Sequence, residues 1–206
     1  MSWKPQGRIM DEAAKILLES GVVEVSFDKP FKFTSGKLSP IYCDNRILLS
    51  MPEQREKIIS LMAKKASKLS FSLIAGIATA SIPWASMLAF KLGMPLIYVR
   101  KDAKEYGKGK RIEGVFKKGE KVLLIEDLVS TGGSALDAVS SLREAGLKIE
   151  NCLAIFTYNI GNAEKKFQEC GVKLLTLTNI NEVLDTAIMS GKITKEQRQK
   201  VIEALK

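Results

Sequence analysis

The fold of this chain is decided by residues 122–134, which read VLLIEDLVSTGGS. The four apolar residues at 122–125 predict a buried strand, and Glu126 and Asp127 follow at its C-terminal end. The Ser/Thr/Gly segment that comes next is typical of a tight loop that opens a helix. Ligands of open α/β sheets bind outside the carboxyl ends of the strands. The stretch therefore predicts a ligand site at one edge of a parallel sheet.

The loop within this stretch has the composition of an anion site. Gly132 and Gly133 allow close backbone approach, and the hydroxyls of Thr131 and Ser134 would join free N–H groups at the helix N-terminus. The loop is not a P-loop, because no Gly-Lys-Ser/Thr follows, and it is not a GxGxxG dinucleotide turn. Since two carboxylates directly precede it, we expect a ligand with hydroxyls beside its phosphate, such as a ribose 5-phosphate. The alternative is a surface turn in which Ser134 caps the helix.

Outward from this stretch, apolar strands alternate with helices, which indicates an α/β fold with a parallel sheet covered by helices on both faces. The predicted strands lie at 73–77, 96–100, 122–126, 152–157 and 173–177. The predicted helices lie at 82–92, 134–145, 162–169 and 194–205. In the first seventy residues, helices at 10–19 and 52–69 combine with short strands at 22–27, 31–33 and 41–43. We therefore expect one domain over 1–206, with an α/β core at about 70–180 and a small N-terminal subdomain at about 1–50.

Composition excludes several classes of function. The chain has no histidine, so Ser-His-Asp and Cys-His catalysis, HExxH zinc sites and His-ligated haem are excluded. The net charge is +9, and residues 100–121 carry nine Lys/Arg against four Asp/Glu, which is +5 of that total. Because the charge is local, it favours a site for a polyanionic small molecule over a general nucleic-acid-binding surface.

Three further features concern the compartment. Cys43, Cys152 and Cys170 form no CxxC pair, which is typical of a reducing cytoplasm. The N-terminal segment lacks the apolar core of a secretion signal. Residues 69–90 are uncharged and long enough to cross a bilayer, but their polar residues and Pro83 favour a strand, a loop and a helix instead. We expect a cytoplasmic protein with no membrane partner.

Residues 122–134 resemble the phosphoribosyl pyrophosphate-binding signature of the type I phosphoribosyltransferases. The resemblance implies that Glu126 and Asp127 are catalytic residues that bind the ribose hydroxyls, and that Asp127 also supports positive charge on the reacting ring. The residues implied to hold the 5′-phosphate and to reach the base edge are Leu128, Val129, Ser130, Thr131, Gly132, Gly133 and Ser134. In that family, the loop after the strand predicted here at 73–77 contacts pyrophosphate. This loop contains Thr79, Ala80 and Ser81.

Residues 100–114 resemble the catalytic lid of orotate phosphoribosyltransferases. The resemblance places four lid residues on the substrate phosphates: Arg100, Lys101, Lys104 and Tyr106. It implies that Lys104 is catalytic, and that Lys101 especially comes from the neighbouring subunit of a homodimer. Lysines would stabilise the negative charge that builds on leaving pyrophosphate, and Mg²⁺ held mainly by substrate and water is the expected cofactor. The alternative is a solvated basic loop.

Residues 31–44 resemble the N-terminal hood that covers the pyrimidine in the same enzymes. The residues implied to contact orotate are Ser130, Phe33, Thr34, Ser35 and Tyr42. The implied reaction transfers the 5-phosphoribosyl group from phosphoribosyl pyrophosphate to orotate, giving orotidine 5′-monophosphate and pyrophosphate in pyrimidine synthesis. Three positions depart from the family pattern: Tyr106 replaces a lid His, Thr34 stands where many members have Lys, and an Arg that some members have near Tyr158 is missing.

Two other functions stay open from the sequence. A salvage phosphoribosyltransferase for a purine or another pyrimidine would share residues 126–134 but should lack the hood at 31–44. A ligand-sensing regulatory protein of the same fold would bind nucleic acid, which the net charge of +9 supports. The basic lid and the absence of a separate DNA-binding module disfavour it. We expect two small-molecule substrates, phosphoribosyl pyrophosphate and orotate, and no nucleic-acid partner.

Overall fold

The computed structural model describes residues 10–32, 36, 38–102 and 111–205. The strands are β1 (Val23–Val25), β2 (Phe31–Lys32), β3 (Leu38–Ser39), β4 (Ile41–Cys43), β5 (Leu73–Ile77), β6 (Leu96–Val99), β7 (Ile112–Glu113), β8 (Lys121–Val129), β9 (Lys148–Thr157) and β10 (Lys173–Asn179). The helices are α1 (Glu12–Glu19), α2 (Pro52–Ala66), α3 (Ile82–Leu92), α4 (Gly133–Glu144), α5 (Ala163–Glu169), α6 (Ile180–Met189) and α7 (Lys195–Leu205), with a short 3-10 helix at Asn45–Ser50.

The centre of the fold is a six-stranded sheet with the order β10-β9-β8-β5-β6-β7. Five of these strands are parallel, and β7 pairs with β6 in the antiparallel direction. Strand β5 is buried along its whole length, as expected for a parallel strand covered on both faces. The predicted parallel sheet is therefore confirmed. Strand β8, which contains the two adjacent carboxylates, lies between β5 and β9.

Alternate side chains of each central strand enter two separate hydrophobic cores. Ile74, Leu123 and Ile125 pack with α1, α2, α3 and α6 on one face of the sheet. Leu73 and Leu124 pack with α4 and α5 on the other face. A slip of β8 by one residue would move every side chain to the opposite core. Burial of both faces thus fixes the register of β8 and the position of its two carboxylates.

The N-terminal strands form two small antiparallel ladders, in which β1 pairs with β4 and β2 pairs with β3. The end of β4 is attached to the carboxyl edge of the central sheet, because the N–H of Cys43 donates to the phenolic oxygen of Tyr158 at 2.9 Å. Helix α7 packs against β3. Helix α1 instead packs against α6 and β10. The described residues between 23 and 50 therefore lie beside the carboxyl edge of the sheet, whereas α1 is part of the main core.

The prediction differs from the structure at several points: β9 begins at Lys148 and not at 152, and β3 and β7 are absent from the prediction. The strand expected at 122–126 continues to Val129, because β9 pairs with it as far as Thr157. The two carboxylates therefore lie inside β8, and not after its end. Helix α6 is absent from the prediction, although its start carries a capping signal: the Asn179 side chain accepts a hydrogen bond from the N–H of Glu182 at 3.2 Å.

The uncharged segment 69–90 forms β5, a loop and most of α3, as predicted. Pro83 occupies the first turn of α3, where its missing N–H costs nothing. Within the ranges that the structure describes, no helix combines the length and the apolar character needed to cross a bilayer.

Candidate active site

A cavity of about 170 Å³ opens at the carboxyl end of β8. Its lining residues are Glu126, Leu128, Val129, Ser130, Thr131, Gly132, Gly133, Ser134 and Ala135. These include all seven residues that the sequence predicts around the phosphate. Strand β8, the loop after it and the start of α4 supply this whole lining. The carboxyl group of Glu126 and the N-terminus of α4 therefore border the same cavity.

The phosphate loop, residues 130–134, leaves its N–H groups available to a ligand. Helix α4 begins at Gly133, and Gly132 before it adopts a φ of +81° without any side-chain cap. The interpretation of Ser134 as the helix cap is therefore wrong. Within the described residues, the N–H groups of 131–135 donate to no backbone acceptor. Unpaired N–H groups at a helix N-terminus attract anions, so this geometry suits a phosphate.

A second loop, residues 159–162, supports the phosphate loop from the side. Three of its residues, Asn159, Gly161 and Asn162, have positive φ. A Cβ on Gly161 would lie 2.9 Å from the side chain of Thr131, so only glycine permits this approach. This support is absent from the sequence-based prediction, although the turn-forming composition of residues 159–162 was the available signal.

Glu126 is a buried carboxyl group, with 7% of its surface exposed. Its Oε1 atom accepts a short hydrogen bond from the Ser81 hydroxyl and a second from the N–H of Asp127 at 3.0 Å. Burial, followed by the side-chain hydrogen bond and the charge of the Asp127 carboxyl group, raises the pKa of Glu126 to about 8. Glu126 is therefore largely protonated near neutral pH. The half-buried Asp127 is the more accessible carboxyl group of this acid pair.

The backbone of Asp127 is held on both sides. Its N–H donates to the Ser81 hydroxyl oxygen at 3.1 Å, and its carbonyl accepts from the Asn45 side chain at 2.7 Å. Asn45 is 1% exposed, and its own Oδ1 lies 3.7 Å from the Cys43 sulfur that donates to it. Asn45 is absent from the sequence-based prediction, because its partner is 82 positions away and no local pattern marks the pair. These bonds fix the peptide from which the Asp127 carboxyl group extends.

The loop after β5 lies next to this acid pair, since β5 and β8 are neighbours in the sheet. Thr79 is exposed and Ala80 is half-buried. Within the described part of the chain, the N–H groups of these two residues donate to no backbone acceptor. The Ser81 side chain is buried and bound to Glu126, so its hydroxyl faces the acid pair. The predicted pyrophosphate loop thus offers two free amides beside the carboxyl groups.

The two ends of the basic segment are joined to each other. The N–H of Arg100 donates to the Arg111 carbonyl at 2.8 Å, and Nε of Arg111 donates back to the Arg100 carbonyl at 3.1 Å. The Arg111 guanidinium also binds both carboxylate oxygens of Asp137 on α4, at 3.1 and 2.5 Å, and it lowers the pKa of that carboxyl group. Lys101 at the start of the segment is exposed. The segment therefore starts and ends beside the helix whose N-terminus faces the cavity.

Five predicted contacts lie outside the described residues, namely Lys104, Tyr106, Phe33, Thr34 and Ser35. Tyr42, also predicted to contact the base, is half-buried in β4 and stacks on Phe31 with 5.5 Å between ring centroids. Ser130 is exposed in the phosphate loop.

Comparisons with known proteins agree on one family. The phosphoribosyl transferase domain family matches residues 46–189. An orotate phosphoribosyltransferase of Coxiella burnetii is 42% identical over 193 residues, which cover 93% of this chain and 92% of that protein. The crystal structure of orotate phosphoribosyltransferase from Aeropyrum pernix is 30% identical, with a TM-score of 0.76, and the match covers 85% of this chain and 98% of that one. UMP synthase of Leishmania donovani is 32% identical, with a TM-score of 0.82 over 96% of this chain, which spans 42% of that longer protein.

The raised pKa of Glu126 predicts a pH-dependent stability. The carboxyl group binds its proton more tightly in the folded state, with a pKa of about 8 against an ordinary value of 4.5. Its stabilising contribution is therefore full below the ordinary value and is lost as the pH rises through about 8. Glu126→Gln cannot ionise, so its Tm should fall less than that of the parent between these pH values. Glu24→Gln, at an exposed position of β1, should follow the parent curve. Parallel curves for Glu126→Gln and the parent would contradict the assignment.

The support of the phosphate loop by Gly161 predicts a selective loss of anion binding. Gly161 and Gly171 have almost the same φ, +62° and +63°, but a Cβ on Gly171 would meet nothing within 4 Å. Both Gly161→Ala and Gly171→Ala should lose stability, by about 1–2 kcal/mol each, because the left-handed conformation strains alanine. Only Gly161→Ala should also weaken the binding of inorganic phosphate, measured by calorimetry, because it displaces Thr131. Parent-like phosphate affinity in Gly161→Ala would exclude this role.

Proposed function

This chain belongs to the phosphoribosyltransferase family as an orotate phosphoribosyltransferase. From that premise we propose which of its residues bind each part of the substrates and which support the transfer. The reaction transfers the 5-phosphoribosyl group from phosphoribosyl pyrophosphate to orotate. The observation that carries the assignment of roles is the cavity at the carboxyl end of β8, where an acid pair meets a loop of unpaired N–H groups. Such a site matches a ligand with a terminal phosphate and neighbouring hydroxyls.

The phosphate loop would bind the 5′-phosphate through the N–H groups of 131–135. This leaves the ribose beside Glu126 and Asp127, whose oxygens can accept hydrogen bonds from its hydroxyls. The C1–O bond to pyrophosphate breaks as N1 of orotate bonds to C1 and releases its proton. The sugar gains positive charge in this step, and the more accessible Asp127 would stabilise that charge. Thr79 and Ala80 would bind the departing pyrophosphate through their free amides.

The cations of the basic segment would neutralise the leaving group. Arg100, Lys101, Lys104 and the Tyr106 hydroxyl are the groups proposed for this role, with Lys104 as the catalytic cation. The Arg111 guanidinium is already bound to Asp137, so we assign it no phosphate contact. A water-free site would protect the cationic sugar from hydrolysis.

The base would lie between the phosphate loop and the N-terminal strands. Ser130 is exposed on the loop side, and Tyr42 in β4 is held by its stacking on Phe31. Phe33, Thr34 and Ser35 complete the proposed contacts. The hydrogen bond between Asn45 and Asp127 supports this placement, because it joins the N-terminal segment to the acid strand.

Magnesium is proposed as the cofactor, bound mainly by substrate oxygens and water. Within the described ranges, no group of three or more His, Cys, Asp or Glu side chains is placed to hold a metal ion. Mg²⁺ commonly keeps several waters and binds through substrate phosphates. When bound, it would neutralise pyrophosphate charge, while the residues named above position the sugar and the base.

We also propose a cytoplasmic homodimer in which Lys101 acts in the site of the neighbouring subunit. The three cysteines support a reducing compartment, since all three are free thiols. The local positive charge is used for anionic substrates, and no nucleic-acid or membrane partner is proposed. The salvage and regulatory hypotheses gain no support from the comparisons.

Turnover of orotate tests the proposed function. Orotate absorbance should fall when phosphoribosyl pyrophosphate and Mg²⁺ are added to the purified protein, and should persist if either is omitted. Asp127→Asn keeps the shape of the side chain but removes its charge, so it should lower kcat strongly without lowering Tm. Turnover of uracil or guanine in place of orotate would refute the assignment, as would salt-sensitive nucleic-acid binding without any turnover.

Mixing two inactive variants tests the shared site. Lys101→Ala and Asp127→Asn should each lose most activity alone. If Lys101 acts across a dimer, random pairing after subunit exchange restores about a quarter of the parental sites, because half of the dimers carry one intact site of two. Activity that stays at the level of the single variants, despite confirmed exchange, would place Lys101 in its own subunit's site.

A further inference from the structure

Ser81 occupies the position of a helix cap without acting as one. It directly precedes α3, where a serine side chain usually accepts a hydrogen bond from a first-turn N–H. No such bond is present, and the side chain is 1% exposed. The hydroxyl is instead directed at β8, and helix α3 therefore starts without the cap that its sequence provides.

This one hydroxyl contacts both carboxyl groups and the peptide between them. The Ser81 Oγ donates a short hydrogen bond to Oε1 of Glu126 and lies 3.5 Å from Oδ1 of Asp127. It also accepts the N–H of Asp127 at 3.1 Å. A hydroxyl can donate once and accept twice, so these bonds use its donor and one acceptor position.

The backbone of Ser81 is equally well fixed. Its N–H donates to the Ile77 carbonyl at 3.2 Å, and its carbonyl accepts the N–H of Ala85 at 2.9 Å. Gly76 permits this packing, because a Cβ there would lie 2.9 Å from the Ala85 side chain and 3.4 Å from the Ser81 carbonyl oxygen. Ser81 therefore links the unit of β5, its loop and α3 to the acid pair of β8.

We propose that Ser81 is a positioning residue of the transfer reaction, which holds the acid pair in register with the loop that receives pyrophosphate. The inference rests on the proposed function, because it assigns Ser81 to the reaction that Glu126 and Asp127 support. The Ser81 hydroxyl is already bound to Glu126 and to the N–H of Asp127, so we assign its side chain no substrate contact. It acts through Glu126, whose carboxylate form it stabilises by donating a hydrogen bond.

The surroundings of Glu126 predict how kcat/KM should depend on pH if Ser81 has this role. The titratable groups that face it are Asp127 on β8 and Cys152 on β9, and Cys43 of β4 faces Asp127. The carboxylate form of Glu126 is the one that accepts hydrogen bonds from ribose hydroxyls, so kcat/KM should rise with pH as Glu126 ionises. The Ser81 bond lowers the pKa of Glu126 against the larger effect of burial. Removing the hydroxyl should therefore shift the midpoint of this rise to higher pH.

The test compares Ser81→Ala with Ser86→Ala, a control in the same helix that lies away from the acid pair and lines a groove with Phe90. Ser81→Ala should lower kcat/KM for phosphoribosyl pyrophosphate about tenfold or more at neutral pH, because it releases the N–H of Asp127 and removes the hydrogen bond that favours the carboxylate form of Glu126. The midpoint should rise by roughly half a pH unit or more. Ser81→Thr, which keeps a hydroxyl, should restore the parental midpoint. Ser86→Ala should match the parent in both measurements.

A midpoint that stays at the parental pH in Ser81→Ala would overturn the inference, since a merely structural serine lowers the rate equally at every pH. A parental rate in Ser81→Ala would overturn it as well. If the alanine variant unfolds at the assay temperature, Ser81→Cys replaces it, because a thiol has similar size but is a weak donor. Absence of turnover by the parent would refute the proposed function instead. In that case, the pH dependence of Tm tests the link between Ser81 and Glu126 without a turnover assay. Ser81→Ala should move the range over which Tm falls to higher pH.

Discussion

The structure depends on one requirement: the carboxyl group of Glu126 is buried at the ligand-binding edge of the sheet and must find its donors inside the protein. A buried polar group without hydrogen bonds is strongly unfavourable. Ser81 and the N–H of Asp127 meet this need for Glu126. Ser81 can reach Glu126 only because α3 packs closely on β5, and Gly76 leaves the space for that approach. The close packing of α3 on β5 is therefore what gives the buried Glu126 a hydrogen-bond partner.

This constraint brings together two loops whose N–H groups are available to a ligand. The loop after β5 and the loop after β8 both follow parallel strands that are neighbours, so both face the same edge of the sheet. Each loop offers N–H groups without backbone partners in the described part of the chain, and the acid pair lies between them. A sugar that carries a phosphate at one end and a pyrophosphate at the other fits this order of groups.

Part of the positive charge of the molecule is neutralised by ion pairs within the protein. Residues 100–121 hold much of the positive charge, but some of these cations bind carboxylates of the protein itself, as Arg111 binds Asp137 and Lys121 binds Glu150 at 3.1 Å. Exposed ion pairs of this kind stabilise a fold very little. Their effect here is geometric, since Arg111 joins the end of the basic segment to α4. Counting charges in the sequence thus overestimates the number of cations that face a ligand.

The sequence by itself predicted the parallel sheet, the strands and helices after residue 70 other than β7 and α6, and the stretch 122–134 as a candidate phosphate and ribose site. Those features depend on local patterns, which are apolar runs, helical periodicity and a loop of small residues that follows two acids. Only the tertiary structure decided that β8 extends to Val129, that Glu126 keeps its proton near neutral pH, and that Asn45 and Ser81 hold the acid pair. Burial and contacts between distant segments produce these properties. Asn45 and Ser81 lie 82 and 45 positions from their partners, so no local pattern of residues records those hydrogen bonds.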